Sequence, residues 1–469
     1  MKRTHNQYQL RLSEEKENKQ FELTDELIEQ VEQLVDERND KELRRLLKEF
    51  HYADIAEILD ELNLEEAIYV IKLLDSETTS DVLMELDEDN REKVLRNLSA
   101  KEIAEEIEEL DTDDAADIIA ELPQERQLEV ISNIEDPEHK AEIEELLAYD
   151  EDTAGGLMAK ELVKVYETWT VAGCLRRIRG QAKDVTRVHS IYVVDKQNRL
   201  IGRLSLKDLI VAKNDQKIAD IYISNVDWVN VNEDVEEVAK IMAKYDLEAI
   251  PVVESDDNMI LLGRITIDDI VDVLKEEADR DYQMAAGITG DVDSDDSILD
   301  LTRARLPWLF LGLVGGIGAF LIMEGFQEAF SKYAVLFFFT PLIAAMAGNV
   351  GVQSSAIIVQ GLANDDVRGS INSRLIKEML LAALNGLILA LFLFLFVWIS
   401  KGELNTAFAI SISLIVVIVV AGLIGTFVPL FLNKRGIDPA IATGPFITTS
   451  NDIFGILIYF WIAKMILGI

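Results

Sequence analysis

The stretch Pro341-Leu-Ile-Ala-Ala-Met-Ala-Gly348-Asn349-Val-Gly351-Val-Gln353-Ser354-Ser355 decides the architecture. It lies inside an apolar run over 334–361, long enough to cross a bilayer, since a spanning helix needs about 20 residues. Yet it carries amides, hydroxyls and small residues where a purely structural span would carry leucine. Four more runs of that kind flank it, near 306–326, 378–400, 407–432 and 440–468. Residues 301–469 therefore read as a membrane domain of five helices. They hold 10 basic and 8 acidic residues, whereas residues 1–300 hold 35 basic and 77 acidic, within a formal net charge of −40 over 469 residues. The first 300 residues are a polyanionic body, and a polyanion repels phosphate backbones, which excludes nucleic acid as a main partner. One cysteine, Cys174, excludes a disulfide scaffold.

The loops set the orientation. Arg303, Arg305, Arg368, Arg374, Lys377, Lys434 and Arg435 flank one side of the spans, and Lys332, Lys401 and Lys464 the other. The richer side faces the cytoplasm, which places the N-terminal body there and, after five spans, the C-terminus outside the plasma (inner) membrane. The polar residues at the start read as a flexible tail over 1–21 with no secretory signal.

Residues 22–150 carry helical periodicity in related units: Asp54–Leu62 (DIAEILDEL), Asp81–Asp89 (DVLMELDED) and Glu102–Leu110 (EIAEEIEEL). Apolar positions recur every three or four residues between acidic faces, so an all-α superhelical stack of short helices is expected.

Residues 153–213 and 216–276 are two copies of one α/β unit. The first contains Ile191-Tyr-Val-Val-Asp195 and Gly202-Arg-Leu-Ser205-Leu-Lys-Asp208; the second contains Ile250-Pro-Val-Val-Glu254 and Gly263-Arg-Ile-Thr266-Ile-Asp-Asp269. Each reads as strand, turn, strand and helix start. The internal repeat and the shared Gly-x-x-Ser/Thr-x-x-Asp pattern resemble a tandem pair of CBS domains. That resemblance implies a cleft for ATP or another adenine nucleotide, with Ser205 and Thr266 toward phosphate and Asp208 and Asp269 on ribose hydroxyls. The same residue types also serve as helix N-caps and first-turn acids, and both readings stand at this point.

An acidic connecting helix and linker follow over 270–300. Asp269, Asp272 and Glu276 share one helix face, with Glu277 beside them. Like charges so placed destabilise a helix unless cations sit among them, and hard cations such as Mg2+ prefer carboxylate oxygen. A regulatory cation site is expected here.

In the fifth apolar run, Gly444-Pro445-Phe-Ile-Thr448-Thr449-Ser450-Asn451-Asp452 places a carboxylate within a span. Such a group costs on the order of 2.5–3.5 kcal/mol by insertion scales and is a functional site by default. Asn349, Gln353, Thr448 and Asn451 add oxygen ligands. With no His or Cys, the donor set suits Mg2+ and disfavours zinc or copper.

Taken in order, these parts resemble the MgtE family of magnesium channels or transporters. The resemblance implies a homodimer in the lipid bilayer with an ion path lined by the second and fifth spans. In it, Asp452 is the pore acid, Gly348 and Asn349 belong to the pore, and Asp438 stands at the cytoplasmic mouth. It also implies that intracellular Mg2+ closes the pore through the N-domain, the CBS pair and the connecting helix, which acts as a plug. Asp269, Asp272, Glu276 and Glu277, with Asp111 and Asp113 of the N-domain, are the expected regulatory ligands. Carriage of another divalent cation (Co2+, Ni2+, Mn2+) or other solute is the alternative. An enzyme is not expected: the four histidines, His5, His51, His139 and His189, lie outside the spans, so no span holds His-Glu-x-x-His, and no Gly-x-x-x-x-Gly-Lys-Ser/Thr motif supplies nucleotide hydrolysis.

Overall fold

A computed structural model describes residue 21 and residues 23–468, apart from 183, 184, 186, 189, 291, 293–295, 329, 330, 365, 366, 368, 369 and 443 and the side chains of 88 and 89. The tail expected over 1–21 thus lies outside the described residues except Phe21, and so does Arg368. The chain forms two compact units, one up to Leu274 and one from Lys275 onward.

The first unit opens with ten short helices among the described residues: α1 (Asp25–Asp36), α2 (Asp40–Leu47), α3 (Tyr52–Glu61), α4 (Leu64–Ile71), α5 (Ser76–Glu85), α6 (Glu88–Asn97), α7 (Ala100–Ile107), α8 (Thr112–Ala120), α9 (Gln124–Asn133) and α10 (Pro137–Leu146). Polar N-caps start most of them. Asn63 and Ser99 form capping boxes with Glu66 and Glu102, and Asp75 and Asp136 accept from first-turn amides. Between α3 and α10, α3 packs on α5, α4 on α6, α5 on α7, α7 on α9 and α8 on α10, through fully buried residues such as Ile55, Ile58, Leu83, Leu95, Ile103 and Ile107. Side-chain bonds near 30 residues apart add to this: Ser76 to Glu106 (2.8 Å) and Arg91 to Glu121 reach the next helix but one, and Asn90 to Asp60 (2.9 Å) and Lys72 to Glu102 (2.8 Å) reach one helix further. The unit quoted over Asp81–Asp89 falls across the α5–α6 break, whereas the other two begin within single helices, α3 and α7.

Two three-stranded sheets follow: β1 (Val163–Tyr166), β2 (Ile191–Val194) and β3 (Leu200–Leu204), then β4 (Val229–Asn230), β5 (Ala249–Val253) and β6 (Leu261–Thr266). In each, the first pair is parallel and the second antiparallel, with a register shift at the same place, Val193/Val194 and Val252/Val253. The copies also carry α11 (Val171–Gln181), α12 (Leu206–Val211) and α13 (Val235–Tyr245), and share a core of Tyr192, Val194, Leu200, Val253 and Leu261. The glycines of the repeated motif are steric requirements. A Cβ at Gly202 would collide with the Ile223 carbonyl and the Tyr222 ring, and one at Gly263 would press on the Ala159 carbonyl and Met158.

Helix α14 (Ile267–Ala286) continues from β6. Among its described residues the second unit holds five helices long and apolar enough to cross a membrane: α15 (Ile298–Phe326), α16 (Val335–Ala363), α17 (Ile371–Lys401), α18 (Leu404–Asn433) and α19 (Gly444–Leu467), the last preceded by a 3-10 turn over Pro439–Ala442. Central α18 packs on α16, α17 and α19. Small residues let these backbones approach, as lipid-embedded packing requires. A Cβ at Gly425 would strike the Gly351 carbonyl, and one at Gly386 would lie 3.3 Å from Ile415 Cα. Hydroxyls tie the rest: Ser354 donates to Glu378 (2.6 Å), Ser355 to the Ala442 carbonyl (2.5 Å) and Tyr459 to the Leu336 carbonyl (3.0 Å).

Candidate metal sites

In the first unit, carboxylates gather at the start of α8. Asp111 is the N-cap residue but makes no side-chain cap bond. Glu161 does that work from the segment before β1: it accepts from the Thr112 N–H (3.2 Å) and the Thr112 hydroxyl (2.9 Å). The Lys160 N–H in turn donates to Thr112 Oγ1 (2.9 Å). Oxygens of Asp111, Asp113 and Glu161 lie within 4.8 Å of one another, and Asp113 is only 8% exposed. Asp269 faces this group from the first turn of α14, held by the Thr266 N–H (3.0 Å) and hydroxyl (2.5 Å).

The electrostatics are unfavourable without a cation. Burial pushes the Asp111 carboxyl up to about 6, helped by Glu161 and opposed by Arg264. Burial and Asp269 push Asp114 up to about 8. Asp113 is raised well above the usual carboxylate range by burial and by Asp114, Asp269, Asp111 and Glu161. Asp269 is also raised by burial, against its bonds to Thr266. Two carboxylates about 5 Å apart repel by about 3 kcal/mol at an effective dielectric of roughly 20. The group must take up protons or a cation, and an all-oxygen set at this spacing suits a hard divalent ion.

The structure therefore brings together three of the regulatory residues named from sequence: Asp111, Asp113 and Asp269. Asp272 and Glu276 are exposed on α14, and Glu277 is half-buried and pairs with Arg280 (3.5 Å). Sequence reasoning missed Glu161, Asp114 and Asp117. Asp114 adjoins Asp113 and Asp117 follows one turn later, a dense local run of acids, whereas nothing local marks Glu161. Of the nucleotide pattern, Thr266 and Asp269 bond to each other, and Ser205 caps α12 by accepting from the Lys207 N–H (3.2 Å) while Asp208 is exposed.

In the second unit, α16 and α19 cross at glycine. A Cβ at Gly348 would lie 3.3 Å from Thr448 Cγ2 and 3.9 Å from Asp452 Oδ1. Three of the five named pore residues, Gly348, Thr448 and Asp452, converge there. Thr448 donates to the Gly444 carbonyl (2.9 Å), so its hydroxyl oxygen retains acceptor capacity. Asp452 is half-buried, and Asn349 and Gln353 are exposed one turn apart on α16. Asp438 is exposed and caps the 3-10 turn by accepting from the Ala440 N–H (2.7 Å). One turn along, Asn451 packs against Gly351, 1% exposed and with neither amide atom bonded among the described residues. The end of α14 meets the start of α19: a Cβ at Gly287 would collide with the Pro445 ring, and one at Gly444 with the Ala285 carbonyl.

A carboxylate-lined crossing inside a five-helix apolar unit, joined to a body with a buried acidic group, defines a membrane transporter class for divalent cations. Family models agree in chain order. A divalent cation transporter model matches residues 340–462, the MgtE intracellular N domain matches 50–152, and the CBS domain matches 154–215 and 218–276. Curated relatives called magnesium transporter MgtE are 37% identical over 321 residues in Enterococcus faecalis (68% of this chain, 70% of the relative) and 34% identical over 319 residues in Bacillus subtilis (68% and 70%). A solved cytosolic domain of the Mg2+ channel MgtE in complex with ATP is 38% identical, covering 52% of this chain and 98% of its own, with a TM-score of 0.49. The chain belongs to the MgtE family.

Proposed function

We propose that this protein is a magnesium channel or transporter of the plasma membrane that admits Mg2+ down its electrochemical gradient and closes when intracellular Mg2+ is abundant. The observation that carries this reading is the convergence of Asp452, Thr448 and Gly348 where the second and fifth spans cross. Mg2+ sheds water reluctantly, so a lone carboxylate per subunit holds it through its hydration shell. The amides of Asn349 and Gln353 are costly against lipid. A second subunit covering that face removes the cost and places two Asp452 carboxylates on one axis, which supports the homodimer. The membrane potential supplies about 2.3 kcal/mol per charge per 100 mV, twice that for a divalent ion, so no hydrolysis is needed.

Closure follows from charge. Mg2+ at the group of Asp111, Asp113, Glu161 and Asp269 binds α8 of the N-domain to the start of α14. The far end of α14 rests on Gly444, eight residues before Asp452, or about 12 Å along a helix. That contact supports the plug role of α14 and the placing of Asp438 near the mouth. Asp272, Glu276 and Glu277 complete the regulatory set on the same helix. The basic flanks put the N-terminus in the cytoplasm and the C-terminus outside. The CBS copies divide by charge: residues 154–215 hold 12 basic and 6 acidic residues, and residues 218–276 hold 4 and 15. The first copy, with exposed Arg203 and Lys207 beside Ser205 and Asp208, suits the phosphates of an adenine nucleotide; the second suits a cation.

Millimolar Mg2+ is expected to protect the 275–300 segment from protease, whereas Na+ at equal ionic strength does not. Equal protection by both salts means that charge screening alone compacts the protein, and it removes the sensor from this reading.

A further inference from the structure

Arg264 occupies a position that both CBS copies share, as Gly202-Arg203 in the first and Gly263-Arg264 in the second. Their surroundings differ. Arg203 is exposed, whereas Arg264 is 6% exposed. One guanidinium nitrogen of Arg264 donates to the Arg187 carbonyl (3.2 Å), and another stands 3.6 Å from Asp111 Oδ2. Its Nε has no hydrogen-bond partner among the described residues, so the group is held in place without being satisfied. Asp111 is also within 4.8 Å of Asp113 and Glu161. The acidic group therefore has a guanidinium charge at its edge.

We propose that Arg264 is a built-in competitor for the regulatory cation, a buried counter-charge that sets the Mg2+ concentration at which the sensor fills. The inference rests on the proposed reading of Asp111, Asp113 and Glu161 as regulatory ligands. Without Mg2+, Arg264 neutralises part of Asp111 and lets the buried acids coexist. A divalent ion entering the group must share Asp111 with the guanidinium and bear its repulsion. The sensor thus ignores low Mg2+ and responds only when the ion is abundant. A tether that held α8 against β6 would do the reverse: its loss would open the closed form and demand more Mg2+.

The two roles differ in sign, and Mg2+ titration of the full-length protein in liposomes separates them, with protease protection of the 275–300 segment as readout. Arg264→Gln is expected to lower the half-protecting Mg2+ concentration by roughly tenfold, within the range typical of coupled sites. Arg264→Lys keeps the charge and is expected to stay within about threefold of the original protein, a minor part of that coupling. Arg264→Met, which keeps the packed stem, replaces the Gln variant if that one fails to assemble. An unchanged or raised midpoint in the neutral variants, with Asp113→Asn still shifting the response, overturns the proposal alone. An Asp113→Asn protein that responds normally overturns the sensor reading and this inference with it.

Discussion

Asp452→Ala is expected to cut Mg2+ uptake by liposomes about a hundredfold while the protein still inserts and assembles. The carboxylate is the acid of α19 that reaches the α16 crossing, where Gly348 leaves space in front of it. Holding a hydrated divalent ion there for about 3 kcal/mol corresponds to roughly two orders of magnitude in occupancy, and that is the loss expected in flux. Stability moves the other way, because Ala removes an ionisable group that costs on the order of 2.5–3.5 kcal/mol to insert. Reduced flux with a lower melting temperature therefore signals misfolding; reduced flux with an equal or higher one signals loss of the ion site. Asp452→Asn separates charge from shape, and it is expected to behave like Ala because an amide attracts a divalent ion only weakly. Uptake at the original rate in either variant refutes the pore assignment.

The second large effect concerns closure. Asp113→Asn combined with Asp269→Asn is expected to leave the channel conducting at cytosolic Mg2+ concentrations that silence the original protein. Moving a two-state element from 1:99 to 99:1 takes about 5.5 kcal/mol of differential binding, and two buried carboxylates supply much of it. The midpoint is expected to rise at least tenfold, a loss of about 1.4 kcal/mol or more. Without divalent ions the same variant is expected to be more stable, since the acids are raised above their ordinary values. Burial and Asp269 hold Asp114 at about 8 when folded. Stability linked to such groups is full below their unfolded values, near 4, and is lost as pH rises through the folded ones. The unaltered protein without Mg2+ should therefore melt at a lower temperature at pH 8 than at pH 5, and the double variant should show less of this slope. An unchanged slope together with unchanged closure removes these residues from the sensor.

What the sequence reveals depends on how local each signal is. The five spans are local, because length and hydropathy alone require them. Asp452 is equally legible: a carboxylate among apolar neighbours needs a reason in any fold. The CBS copies show themselves through the repeated Gly-x-x-Ser/Thr-x-x-Asp, but their parallel strands β1 and β4 do not, since four and two residues give little periodicity. The N-domain has so many acids that composition does not distinguish a solvated face from a buried site. Asp113 and Asp114 differ from the other acids only through their burial and the nearness of Asp269, which is 155 or more residues away in the chain. The dual reading of Thr266 and Asp269 also needed three dimensions: the pair caps α14 and at the same time presents a carboxylate to α8. Arg264 is invisible as a sensor element for the same reason, since Arg203 carries the identical motif on an exposed edge.

Current through the purified protein in planar bilayers, recorded while Mg2+ is varied on the side of the N-terminal body, tests the central claim most directly. Inward Mg2+ current at low cytosolic Mg2+, falling steeply as that concentration reaches the millimolar range, is the predicted result. The absence of any Mg2+ current at every voltage and every Mg2+ concentration would contradict it.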